Sequence, residues 1–189
     1  MKNDTRLRIM KMALQLFSQK GYYQTTTKEI ALAAKINELT LFRHFGSKAN
    51  LLQEITEFYL VDANISNILE GTDNLSFEAI ISVISKRIYE LYIQNTELYK
   101  IQMKLGDDEK ETMKLKLSRG LVAVLKDYFK ALNYEKVATG EPEIMAITLI
   151  NSLLGAFTVS VLSGDTMTGI SWELMIEEHA KQFANQYTK

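Results

Sequence analysis

Six side chains crowded into one short stretch, Glu38, Leu39, Thr40, Phe42, Arg43 and His44, have the mix of types that recognition chemistry needs. They lie largely off the stripe of Leu41 and Phe45, which fall four residues apart and so share one side of a helix. Only that stripe is committed to a core, and the other side chains are left to meet something outside. Against a base-pair edge, Leu39 can meet a thymine methyl and Glu38 can accept from cytosine N4. Catalytic chemistry has less to work with. There are no cysteines, and the two histidines, His44 and His179, are far apart, with no second His or obvious carboxylate at helical ligand spacing. No Ser-His-Asp grouping can be inferred. The expectation is no enzyme, no metal and no cofactor, with a carboxylate-only site left open.

The elements that must hold those six residues can be read from caps and breakers. Thr26 is placed to cap a helix as half of a capping box with Glu29, and Ile30, Ala33 and Ala34 give that helix an inward face. The chain must turn at Lys35 and Ile36, where a non-glycine residue in a turn conformation would cost about 1 kcal/mol. Asn37 then caps a second helix, Gly46 stops it, and Ser47 caps a third. Two short helices joined by a tight turn are a means of placing one helix in the major groove of DNA. Lys28 and Lys48 flank the second helix at capped helix starts, where backbone N–H groups also favour phosphate. The bland alternative is three core helices with solvated charges.

Charge distribution supports a polyanion partner although the net charge is only −1. Residues 1–55 hold nine basic and four acidic side chains, a balance of +5, and the remainder holds 13 and 19, a balance of −6. A single proline and long runs of good helix formers predict an all-α fold of about nine helices, with no convincing strand. The first helix runs from about Asp4 to Lys20 on a Leu7, Met10, Leu14, Phe17 stripe, and a fourth from Ser47 to about Leu69. Later helices run from Ser76 to about Gln94, Thr96 to about Leu105, Asp107 to about Leu132, Pro142 to about Leu162, and Ser171 onward. The domains are expected at 1–50, helix-turn-helix DNA binding, and 51–189, helical ligand binding and dimerisation. No signal peptide is read at the N-terminus, and Ile144 to Leu162 reads as a buried helix, so a cytoplasmic protein is expected.

The stretch from LFSQKGYYQTTTKEIALAA through INELTLFRHFGSK, following an amphipathic helix and leading into a leucine-bearing one, resembles the TetR family of bacterial transcriptional regulators. The resemblance implies a homodimer in which the helix from Asn37 to Phe45 reads DNA and a larger helical domain senses a small molecule. It implies that Leu39 and Thr40 face bases, that Phe42, His44 and Lys48 approach the phosphate backbone, and that Thr26, Thr27 and Lys28 assist. Three residues depart from the family pattern: Lys35 where Gly is frequent, Leu39 where a small residue is common, and Phe42 where Tyr is usual.

The second domain concentrates Tyr89, Tyr92, Tyr99, Met103, Tyr128, Phe129, Phe157 and Trp172. Singly, such residues at helical spacing are more often core than pocket; together they are candidates for an apolar effector site, with Tyr hydroxyls, Glu90 and Glu97 as polar handles. The last two helices carry Ile147, Asn151, Leu154, Gly155 and Thr158 on one, and Met175, Ile176, His179 and Phe183 on the other, as a candidate two-fold interface. The expectation is a dimeric repressor released from a palindromic operator by a small apolar or aromatic ligand. The alternative is a helical ligand-binding or interaction protein that no longer reads DNA sequence.

Overall fold

The computed structural model describes residues 2–61, 65–106, 116–164 and 169–188, and among them regular structure is entirely helical. In chain order the helices are α1 (Lys2–Lys20), α2 (Thr27–Ala33), α3 (Glu38–Phe45), α4 (Lys48–Val61), α5 (Phe77–Gln94), α6 (Thr96–Lys104), α7 (Lys116–Tyr134), α8 (Pro142–Ser163) and α9 (Trp172–Tyr187), with a 3₁₀ turn at Ile65–Leu69. The helix expected from Asp107 is described only from Lys116; residues 107–115 lie outside the described residues. The helix expected to run on to Leu69 is described to Val61 and gives way to that 3₁₀ turn. Carbonyls freed there are taken from elsewhere: Arg87 donates to Asn67, Ile68 and Glu70 carbonyls, and the Thr72 hydroxyl to that of Leu69.

Two compact units form. The first holds α1 to α4 together with α6. Its core joins Ile9, Met10, Ala13, Phe17, Ile30, Ala34, Leu41, Phe45, Leu51, Leu52 and Ile55 to Leu98, Ile101 and Leu105. The α1 stripe is displaced from the expected one, because Ile9 and Ala13 are fully buried and Leu7 points outward. Likewise Ala31, not Ala33, joins Ile30 and Ala34 on the inner side of α2. Alanine is small enough to sit on either side of a short helix, so spacing alone left this ambiguous. The unit extends past residue 50, since α4 supplies three of its core residues and α6 lies along α1. Lys104 on α6 donates to the Ser18 and Gln19 carbonyls at 2.7 and 3.0 Å, covering the C-terminal end of α1.

The second unit holds the 3₁₀ turn, α5 and α7 to α9. α7 packs along α8, and α5 packs against α8 and α9. Pro142 opens α8, and the Glu141 carboxylate caps it by accepting the Ile144 N–H at 2.7 Å. By length and composition α8 could cross a membrane. Met145, Ala146, Leu149, Ile150, Leu153 and Phe157 bury one of its sides in this unit, while Ile144, Ile147 and Leu162 on it remain exposed.

Candidate nucleic-acid interface

The start of α2 is fixed by a reciprocal pair of bonds. The Thr26 hydroxyl accepts the Glu29 N–H at 3.1 Å, and the Glu29 carboxylate accepts the Thr26 N–H at 2.8 Å. Lys20 donates to Glu29 at 2.7 Å from the end of α1. That bond first, and the Thr26 N–H second, hold the Glu29 carboxyl down to about 2. α2 ends at Lys35, which adopts φ 53°. There the Lys35 N–H goes to the Leu32 carbonyl and the Ile36 N–H to that of Ala31, both at 3.0 Å, which closes the helix as a Schellman motif. The turn is therefore built as in a glycine-bearing chain, with a lysine in the left-handed position.

α3 begins at Asn37, whose Oδ1 accepts the Thr40 N–H and the Thr40 hydroxyl, each at 2.7 Å. It ends at Gly46, φ 72°, whose N–H reaches the Phe42 carbonyl at 2.8 Å. Ser47 then caps α4 by accepting the Asn50 N–H. Leu41 and Phe45 are 0 and 4% exposed, so α3 is seated by two anchors worth about 1.5–3 kcal/mol each.

Three cations brace this seat from a distance. Arg6 donates to the His44 carbonyl at 2.9 Å, pairs with Glu54 on α4, and lies over the Phe45 ring at 4.6 Å. Arg8 donates to the Ala34 carbonyl at the end of α2, also at 2.9 Å. Lys48 donates to the Tyr22 and Thr25 carbonyls at 3.0 and 3.1 Å, with its ammonium 4.3 Å from the Tyr22 ring centroid. Arg6 and Arg8 were not among the sequence candidates. Their partners lie 38 and 26 residues away, and no local pattern announces such a bond.

All eleven candidate DNA contacts, Thr26, Thr27, Lys28, Asn37, Glu38, Leu39, Thr40, Phe42, Arg43, His44 and Lys48, fall in the first unit, at the start of α2, along α3, and at the start of α4. Thr26, Lys28, Asn37, Leu39, Phe42 and Arg43 are exposed, and the other five are half-buried. The half-buried ones are in part used internally. The Thr27 hydroxyl donates to the Glu38 carboxylate at 2.5 Å, and the ammonium of Lys48 holds backbone.

In the second unit the candidate pocket residues pack on one another. Tyr89 stacks on Trp172 with centroids 5.0 Å apart, and Tyr92 on Phe157 at 5.5 Å. The Tyr92 hydroxyl pairs with Ser118, and that of Tyr128 with Thr72. Phe129 meets Phe77 and Phe183. Tyr89, Tyr92, Phe129 and Phe157 are core, at 0–3% exposed. Tyr99 and Met103 belong to α6, in the first unit, and so are not part of that cluster.

Of the candidate interface residues, Ile147, Asn151 and Gly155 are exposed, and Leu154, Thr158, Met175 and His179 half-buried. Ile176 and Phe183 are a correction: both are 2% exposed within their own unit, with Phe183 packed on Phe77 and Phe129. The Nδ1 atom of His179 is buried without a partner, and burial lowers the pKa of the ring.

A helix capped at both ends, anchored by two side chains and presenting its opposite side to solvent after a tight turn, defines a helix-turn-helix DNA-binding protein. Residues 9–55 match the model of the tetR family of bacterial regulatory proteins. The chain is 27% identical over 182 residues to an uncharacterised HTH-type transcriptional regulator of Bacillus subtilis, YvkB, covering 95% of each. It is 28% identical over 95 residues to IcaR of Staphylococcus aureus, a negative transcriptional regulator of the icaADBC biofilm operon, covering 49% of this chain and 50% of IcaR. The fold matches that of a TetR/AcrR-family transcriptional regulator from Thermobifida fusca with a TM-score of 0.68, at 21% identity and covering 98% of this chain and 100% of that one. Residues 9–55 thus carry the tetR-family DNA-binding pattern, and over nearly its whole length the chain is similar to an HTH-type transcriptional regulator.

Proposed function

We propose that this regulator is a homodimeric repressor that binds a palindromic operator and is released by a small apolar or aromatic ligand. The observation that carries the reading is the outer side of α3, where Leu39, Phe42 and Arg43 are exposed on a helix that every cap and clamp around it holds still. Repression is favoured by the likeness to IcaR, a negative regulator. Dimerisation is favoured by α8, whose Ile144, Ile147 and Leu162 are 58, 40 and 68% exposed beside Asn151 and Gly155. Effector binding is favoured by the aromatic cluster around Tyr89, in which Trp172 is only half-buried.

In this mechanism two copies of α3 enter successive major grooves about 34–36 Å apart, or at a wider spacing set by the dimer. A ligand that binds better to a dimer with another spacing shifts the population away from DNA. α4 carries that change to the reading helix, since Leu51, Leu52 and Ile55 share the core with Leu41 and Phe45, and Glu54 is tied to Arg6. Selection of bound sequences from a random DNA pool tests the reading. A palindrome bound in a salt-sensitive way is expected. Equal affinity for selected and random DNA would overturn it.

A further inference from the structure

We propose that α3 reads thymine through its C5-methyl group, with Leu39 as the specificity-determining side chain. This rests on the DNA-binding reading above and assigns the base chemistry of that same surface.

Successive residues of a helix are about 100° apart, so Leu39 lies about 160° round the helix from the buried Leu41 and about 120° from Phe45, on the side away from the core. It is 68% exposed, and Arg43, one turn further on, is exposed on the same side. Leu39, in the first turn of α3, is thus the most exposed apolar side chain of that helix, ahead of Phe42 at 41%. The polar side chains next to it in sequence, Glu38 and Thr40, are bonded within the protein. The Thr40 hydroxyl donates to Asn37 Oδ1, and the Glu38 carboxylate is held on the Thr27 hydroxyl. Glu38 is thereby drawn off the role of accepting from cytosine N4, and the apolar half of the expected code is left.

Within the major groove the thymine methyl is the one apolar feature of the four base-pair patterns. A leucine pressed against guanine, adenine or cytosine instead covers a donor or acceptor that has lost its water, which is costly. Leu39 therefore selects twice over, by burying the methyl where it is present and by stranding a polar atom where it is not. A small residue at the same position would leave room for water and do neither. A lone exposed leucine is ordinary on a protein surface, but this one stands on the helix the fold dedicates to contact.

The test replaces each thymine of a selected operator in turn with deoxyuridine, which removes the methyl and keeps the base pair. One thymine per half-site is expected to matter, with about a fourfold loss of affinity for one half-site and about sixteenfold for both, the transfer value of one buried methyl each. The Leu39→Ala protein is expected to bind the thymine and uracil operators equally. Leu39 is exposed, so this variant keeps its core, and an unchanged thermal melt checks that. A wild-type protein indifferent to uracil at every position overturns the proposal, and so does a uracil penalty that survives in Leu39→Ala. Neither touches the DNA-binding reading, which fails separately if the pool returns no preferred sequence at all.

Discussion

The ammonium of Lys48 sits at the start of α4, where a phosphate contact is expected, yet it donates to the carbonyls of Tyr22 and Thr25. Hydrogen bonds to a charged group contribute about 1.5–3 kcal/mol, so Lys48→Ala should lower the stability of the head by that order, read as a lower urea midpoint. Lys28 is exposed, and Lys28→Ala should leave the midpoint alone while reducing the salt dependence of DNA binding by about one phosphate. If Lys48→Ala proved neutral to stability, its role would be at the DNA after all. Glu29 carries a pH signature. Its carboxyl is held at about 2 against the ordinary 4.5, so its contribution to the fold is complete above about 4.5 and is lost as pH falls toward about 2. Glu29→Gln removes that titration, and thermal melts across this range should show a shallower acid limb for the variant.

At the scale of elements, what could be read from the sequence was what is local. Thr26 with Glu29, Asn37, Ser47 and Ser171 cap helices within three residues of themselves, and each does so in the structure. Lys35 shows the same: the turn needed a left-handed residue there, and it has one. What could not be read were bonds across the chain, such as Lys104 to Ser18 at a separation of 86 residues. Nor could spacing tell a core aromatic from a pocket aromatic: Tyr92, Phe129 and Phe157 satisfy the period equally well as packing. α8 invites a direct experiment on the proposed dimer. Gly155 is exposed, and a Cβ added there meets nothing within 4 Å, so Gly155→Arg should favour the helix by about 0.5–1 kcal/mol within a protomer. It should also block close approach of a second copy. Sedimentation is expected to show monomer with an undiminished melting temperature and no affinity for a palindrome; a persistent dimer would move the interface elsewhere.

For the whole molecule, the notable fact is that the first unit is discontinuous. Leu98, Ile101 and Leu105 are 6, 0 and 4% exposed within a core otherwise built from residues before 56. Removing them exposes their neighbours at a cost of about 1.5–3 kcal/mol per fully buried side chain. A fragment ending at Val61 should therefore melt well below the head in the full chain, as circular dichroism would register; equal melting would show that α6 is dispensable.

The chain passes between the two units three times: after α4, after α5 and after α6. A reading head with this wiring cannot be exchanged between regulators as a linear cassette. A hybrid joined once, after α4, would combine one protein's α1 with another's α6 and leave Lys104 facing helix-end carbonyls it was not shaped for. Rewiring this regulator to a new operator is better done by substitutions on α3, or by moving α6 together with the head.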